Sequence, residues 1–287
     1  HLSIRRQRQM CIRDSSCDMG ALPNVYPGYQ RVNDPAVRAK FEAAWGCQLS
    51  DRPGLTVTEI ADAIFKRDIK GLYIMGENPV LSEPNLEHFR QALEKVEFLV
   101  VQDIFLSETA WMADIVLPGA AFAEKDGTFT NTERRVQRIR PVVLPPGEAK
   151  PDWQIVSALA ERMGKARWNR AYQTAGQIMD EIASLTPIYG GIRFDRLDHA
   201  GLQWPCPDTS HPGTSFLYQD SFARGRGKFH AVDYIPPAES ISQGYPLVLT
   251  TGRILEHWHT GTMSRRANVL NELRPNGVVE MHPSDAA

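Results

Sequence analysis

The sequence predicts an α/β architecture: a doubly wound parallel sheet, then an irregular linker, then the opening of a β-rich domain. Three observations carry this. The short apolar runs Leu72-Tyr73-Ile74-Met75, Phe98-Leu99-Val100-Val101 and Ile115-Val116-Leu117 alternate with stretches of helical pattern. Strands with no polar alternation are those buried on both faces, as a parallel sheet requires. From Tyr189 to Gly244 the chain is rich in Gly, Pro and aromatic residues and loses periodicity. Two later runs, Leu247-Val248-Leu249 and Val278-Val279-Glu280-Met281, then read as strands.

Taken in order, His1 to Ser16 is basic, begins with His rather than Met, and fits no element that follows. It reads as a segment foreign to the fold. Asp34 to Ala44 predicts a short helix. Thr56 and Glu59 form a capping box before a helix that places Ile60, Ile64 and Phe65 on one face. The first strand breaks at Gly76-Glu77-Asn78-Pro79. Ser82 is the predicted cap of the next helix, with Pro84 in its first turn and Leu86, Phe89, Leu93 and Val96 as its apolar stripe. The second strand ends at Gln102-Asp103. A short helix from Ser107 to Ala113 then leads to the third strand, which stops at Pro118-Gly119.

Three loops therefore share the carboxyl edge of the sheet, where ligands bind in such folds. Asp103 is placed like the carboxylate that takes a ribose hydroxyl in dinucleotide-binding folds. No GxGxxG occurs, which argues against a standard NAD site. Glu124 to Gly127 reads as a turn, and Asn131 to Arg135 opens a polar, basic segment. Pro141 to Asp152 reads as a crossing between domains. Trp153 to Arg162 predicts a helix with Ile155, Leu159 and Met163 on its apolar side. The chain ends at Ser284-Asp285-Ala286-Ala287, the pattern of a helix start, so the expectation is an internal fragment of a longer protein. The expected division is 1–16 foreign, 17–145 α/β, 146–243 helical and irregular, and 244–287 the start of the β-rich domain.

Composition narrows the function. The chain has 287 residues and a net charge of −2, so nucleic-acid binding has no electrostatic support. No run of about 18 apolar residues occurs to span a membrane. Cys11, Cys17, Cys47 and Cys206 are scattered without metal-ligand spacing. With no signal-peptide pattern either, the expected setting is cytoplasmic. The stretch Thr250-Thr251-Gly252-Arg253 to His257-Trp258-His259-Thr260-Gly261-Thr262-Met263 follows a strand with glycines, hydroxyls, imidazoles and a guanidinium. Such a loop suits a polar, anionic ligand. His257 and His259 make only two of the ligands a metal needs, so hydrogen bonding to a cofactor, simple packing and metal ligation all remain open.

Several motifs in order resemble one family, the molybdopterin-guanine-dinucleotide oxidoreductases, and within it the catalytic (alpha) subunits of formate dehydrogenases. They are Cys17-Asp18-Met19-Gly20-Ala21-Leu22-Pro23 through Tyr29, Met75 through Pro79, Ala113 through Pro118, Glu124 through Gly127 with Asn131 to Arg135, and Gly201 through Pro207. The Thr250 to Met263 loop completes the set. The resemblance implies a β-barrel for the C-terminal domain and a pair of pterin guanine dinucleotides (bis-MGD) holding molybdenum or tungsten. It implies cofactor contacts at Gly76, Glu77, Asn78 and Pro79, at Gln102 and Asp103, at Lys125, and at Asp152. It adds Thr251, Gly252, Arg253, His257, His259, Thr260, Gly261 and Met263. Asp152 suits guanine, because a carboxylate can accept from N1–H and the amino group together.

The departures are as informative. No Cys-His pair is present to ligate the metal, and Cys17 is followed by Asp18. No clustered cysteines are present for a 4Fe–4S cluster. By resemblance both belong to an N-terminal region outside this sequence, so no catalytic residue is assigned here. The implied whole protein oxidises formate to carbon dioxide and passes electrons to iron–sulfur subunits. A periplasmic-type nitrate reductase shares the His-Trp-His-Thr-Gly loop, but the Asp18 to Tyr29 loop argues against it. A non-catalytic scaffold, as in a large subunit of respiratory complex I, has no need of the guanosine contacts.

Overall fold

The structure, a computed structural model, describes residues 16–164, 172–219, 221–222, 225–237 and 239–286. The basic segment from His1 lies outside the described residues except for Ser16.

A small hairpin, β1 (Val25–Tyr26) and β2 (Gln30–Arg31), precedes α1 (Pro35–Trp45). Asp34 caps α1 by accepting from Ala36 N at 2.9 Å and Val37 N at 3.2 Å. Then come α2 (Val57–Phe65), β3 (Gly71–Met75), the one-turn helix α3 (Pro79–Ser82), α4 (Leu86–Lys95), β4 (Phe98–Asp103) and β5 (Ile115–Pro118). Strands β3, β4 and β5 form a parallel sheet in that order, with Ile74 opposite Val101 and Val101 opposite Val116. This is the parallel sheet the apolar runs predict. Its core joins Ala61 and Ile64 of α2, Phe89, Ala92 and Leu93 of α4, and Ile74, Leu99 and Val101 of the sheet. Alternation sends Tyr73, Phe98 and Gln102 to the opposite face.

Two expectations near α4 change. The cap is Asn85, whose side chain accepts from His88 N at 3.3 Å, and not Ser82, which ends α3. Pro84 separates the two helices because the residue before a proline avoids helical backbone. The predicted helix from Ser107 to Ala113 contracts to a single 3-10 turn, Ala110–Met112. Asp114, which follows that turn, accepts Leu99 N at 2.7 Å.

A second sheet was not anticipated. The turn and basic segment form the hairpin β6 (Gly127–Thr130) and β7 (Arg135–Ile139), and β8 (Leu202–Gln203) pairs with β7. The proline-rich crossing runs beside β5, with Lys150 N donating to Pro118 O at 3.2 Å and Ala120 N to Lys150 O at 2.9 Å. It delivers the chain to α5 (Asp152–Arg162), which buries Ile155 but leaves Met163 72% exposed, so the predicted stripe is only partly covered. Helix α6 (Ala175–Leu185), also unanticipated, is capped by Thr174 accepting Gln177 N at 3.3 Å. Its Met179 packs in a second core with Val136, Tyr189, Ile192, Leu197 and Cys206. The buried Asp18 accepts Trp204 Nε1 at 2.9 Å, tying the Asp18 loop to the Gly201 to Pro207 motif. Burial and the neighbouring Asp18 carboxylate push the Tyr189 phenol far up. Cys47 is half-exposed.

In residues 244–286 the predicted strands are not formed. The elements there are a 3-10 turn, Ser264–Arg266, and α7 (Asn268–Leu273). Leu249 is 86% and Val279 82% exposed. A strand needs a partner backbone, and among the described residues neither run is paired into a sheet.

Candidate functional site

The carboxyl ends of β3, β4 and β5 gather a polar cluster. Gln102, 1% exposed, lies next to the end of β4. The Tyr73 hydroxyl donates to Gln102 Oε1, and Gln102 Nε2 donates to Asp152 Oδ1 at 2.6 Å. The Lys125 ammonium pairs with Asp152 Oδ2. Charge sets the direction of this chain. An ionised carboxylate only accepts, so the amide nitrogen of Gln102 must face it and the amide oxygen must face Tyr73. Burial, with the Asp152 charge adding to it, raises the Tyr73 phenol above its ordinary value.

Backbone geometry opens the same edge. Gly76 sits at φ +65°, in the left-handed region, and its N–H donates to Gln102 O at 2.9 Å. Nothing lies within 4 Å of where its Cβ would be, so the turn leaves room. A Cβ on Gly119 would come 3.3 Å from Asp152 Oδ1. Asp103 closes its own loop, with Oδ1 accepting Ile104 N at 2.7 Å and Oδ2 accepting Ser107 Oγ at 3.1 Å.

A second cluster lies where the C-terminal segment meets the sheet. Asn78, 6% exposed, donates from Nδ2 to Glu108 Oε2 at 2.8 Å and to Thr262 Oγ1 at 3.0 Å. Pro79 is buried as the first residue of α3, while Glu77 is exposed. His257 is buried. Its Nε2 lies 2.7 Å from Arg274 O and its Nδ1 3.3 Å from Ser264 Oγ. With both ring nitrogens engaged by the protein, His257 braces its loop. His259 is exposed at φ +50° with its ring 4.9 Å from that of Trp258. Thr260 Oγ1 lies 3.4 Å from Thr262 Oγ1. Gly261 has φ +81°, and a Cβ there would meet the Arg265 side chain at 2.8 Å. Met263, Thr251, Gly252 and Arg253 are exposed, and Gly252 has nothing within 4 Å of a Cβ position.

The structure thus joins Gln102, Lys125 and Asp152 with Gly76 beside them, and places Asn78 with the Thr262 loop. The basic run along and after β7 pairs with nearby carboxylates. Arg138 pairs with Asp126 at 3.3 Å and with Asp198, and Arg140 pairs with Asp198 at 3.0 Å. Arg135 pairs with Glu133 at 2.8 Å. Tyr73 and Glu108 escape a sequence reading, whereas Gly119 and Thr262 lie in the strand-end and C-terminal loops that it marks without being singled out. Glu108 carries the one available signal, a carboxylate in the loop that follows a strand end.

Comparison with known proteins follows the same residues. The molybdopterin oxidoreductase family profile matches residues 9–162, and the molydopterin dinucleotide binding domain profile matches residues 247–287. The F420-dependent formate dehydrogenase subunit alpha of Methanocaldococcus jannaschii is 52% identical over 274 residues, 94% of this chain and 40% of its own length. The F420-dependent formate dehydrogenase 1 subunit alpha of Methanococcus maripaludis is 47% identical over 273 residues, again 94% of this chain and 40% of its own. Formate dehydrogenase H of Escherichia coli is 37% identical over 293 residues, 100% of this chain and 41% of its own. The chain therefore spans about 40% of the length of these relatives. With a profile match over more than half its residues, the chain belongs to the molybdopterin oxidoreductase family.

Proposed function

We propose that this chain is the dinucleotide-holding part of a formate dehydrogenase catalytic subunit, with bis-MGD carrying molybdenum or tungsten as its cofactor. The observation that supports this best is the state of Asp152. Gln102 Nε2 and Lys125 Nζ each approach one of its oxygens. A carboxylate has about four acceptor positions, so about two remain at an open strand edge. A guanine presents two adjacent donors to such a pair. The donor set therefore fits the nucleotide: Asp152 takes the base edge, Lys125 offers charge to a phosphate, and Gly76 and Gly119 allow the ligand close to the backbone.

Gln102 orients Asp152 and is itself oriented by Tyr73, so the carboxylate is set before ligand arrives. The exposed C-terminal loop, with Thr251, Gly252, Arg253, Thr260 and Met263, would meet the pterin and its phosphates. When bound, the metal–pterin group would supply the oxidation of formate to carbon dioxide, with release of two electrons and one proton. Those electrons would leave through iron–sulfur clusters, including a 4Fe–4S cluster, and through partner subunits, a reading in keeping with the name "subunit alpha" of the relatives. No helix among the described residues is long and apolar enough to cross a membrane. We extend the reading to a cytoplasmic enzyme.

The test is made on the full-length protein carrying this sequence. Metal content, acid-released guanine nucleotide, and turnover of formate and of nitrate are measured together. Molybdenum or tungsten with about two guanine nucleotides per protein and formate turnover is the expected result. Nitrate turnover without formate turnover overturns the substrate. A protein that acquires neither metal nor pterin overturns the cofactor and favours a scaffold.

A further inference from the structure

Asn78 is expected to touch the cofactor, yet its side chain has no hydrogen-bonding capacity left for one. A carboxamide carries two N–H donors and two oxygen lone pairs. Both donors are used, on Glu108 Oε2 at 2.8 Å and Thr262 Oγ1 at 3.0 Å. Both lone pairs are used, by Thr109 N at 3.2 Å and Thr109 Oγ1 at 2.7 Å. Asn78 is 6% and Thr109 0% exposed, so water cannot stand in for these partners. A ligand could bind the Asn78 amide only by breaking a bond inside the protein.

Glu108 is the partner that links this amide to the other side. Its Oε2 also lies 3.7 Å from a guanidinium nitrogen of Arg266. Arg266 donates from Nη2 to Leu106 O at 3.4 Å, places its guanidinium 5.3 Å from the Phe105 ring centre, and donates from Nη1 to Thr262 O. The loop after β4 thus grips residues 262 and 266 by carboxylate, carbonyl and ring face. The exposed ion pair alone would be weak. The buried amide gives the contact its strength, because each partner removed leaves a buried polar group unpaired. The two sides belong to different family regions, residues 9–162 and 247–287.

We infer that Asn78, Glu108, Thr262 and Arg266 form a joint seating the C-terminal segment on the carboxyl edge of the parallel sheet. Glu108 is its positioning residue, and the Asn78 amide is committed to the joint. In the function proposed above, the joint sets the separation of the two regions that hold the dinucleotides. That consequence rests on the proposed function; the joint itself does not, and it is tested without cofactor.

The experiment is hydrogen–deuterium exchange read by mass spectrometry on this chain, in wild type, Glu108→Gln, Glu108→Ala and Thr262→Val. In wild type, amides of 257–274 are expected to be protected. Glu108→Ala and Thr262→Val are expected to speed their exchange about tenfold, the effect of one lost hydrogen bond at the upper end of its usual range. Glu108→Gln keeps an acceptor for Asn78 but loses the charge facing Arg266, so it falls between. Amides of 71–75 and 98–103 should not change. If Glu108→Ala loosens the whole sheet, Thr262→Val decides. Equal exchange of 257–274 in wild type and Thr262→Val, or free exchange there in wild type, overturns the joint. A full-length protein without pterin would sink the proposed function and leave this result standing.

Discussion

At the scale of single residues, charge and valence decide what each group can do. Asp152 ends a chain of donors from Tyr73, Gln102 and Lys125, and so remains an acceptor for a ligand. Asp152→Asn would turn a donor toward donors. The full-length variant is expected to hold its guanine nucleotide about ten- to a hundredfold more weakly, from loss of a charged hydrogen bond worth roughly 1.5–3 kcal/mol. Released nucleotide per protein after dialysis checks this; full retention would remove Asp152 from the site. Glu108 carries a pH dependence. Burial raises its carboxyl, but hydrogen bonds from its own backbone and from Asn78, with the Arg266 charge, outweigh that and hold it below the ordinary 4.5. A depressed carboxyl contributes stability above its unfolded value and loses it as pH falls through the folded one. Exchange at 257–274, corrected for intrinsic rate, should therefore be flat from pH 7 to about 5 and rise below about 4.5, where Glu108→Gln stays flat. Of these groups, Gln102 was legible because it sits at a strand end, whereas Lys125 and Asp152 were legible only through the family resemblance. Tyr73 was not, because in a continuous apolar run nothing marks which face a side chain takes.

At the scale of elements, legibility follows period and partner. The parallel strands β3, β4 and β5 were readable because each is a closed apolar run. The capping box at Thr56 was readable too, and Glu59 accepts Thr56 N at 2.7 Å. The sheet β6–β7–β8 was not. Its strands are short and rich in Thr, Arg and Gln, and β8 comes from more than 60 residues later in the chain. Helix α6 does carry a helical stripe in Ile178, Met179 and Ile182, but Gly176 near its start weakens the pattern. Packing also separates helices that look alike in sequence. Leu93 of α4 is 3% exposed in the first core, while Met163 after α5 is 72% exposed. Leu93→Ala is expected to cost about 2–5 kcal/mol in a urea melt and Met163→Ala less than about 0.5 kcal/mol. A near-neutral Leu93→Ala would show that α4 does not anchor the sheet.

At the scale of the whole molecule, order declines along the chain. Two cores hold residues up to Cys206, whereas Phe229, Val232, Tyr234, Ile235, Tyr245, Val248 and Leu249 are each at least 77% exposed. Backbone with few buried contacts opens most readily. Limited proteolysis is therefore expected to cut first between about residues 225 and 256 and to leave a resistant piece ending near residue 216. First cuts within 71–118 would contradict the packing described here. So many exposed apolar side chains also predict association, with light scattering of the chain rising with concentration.

The sequence by itself determined the family, the parallel sheet and the edge that bears the candidate site, because those depend on local period and on motifs in a fixed order. Only the tertiary structure decided which polar groups are still available. It took Asn78 and His257 into the protein's own hydrogen bonds, turned the arginines of β7 onto acidic neighbours, and left Asp152 with acceptor capacity at an open edge. The reason is physical. A motif states which donors and acceptors a chain carries, but each hydrogen-bonding position is used once, and its partner is chosen by the fold.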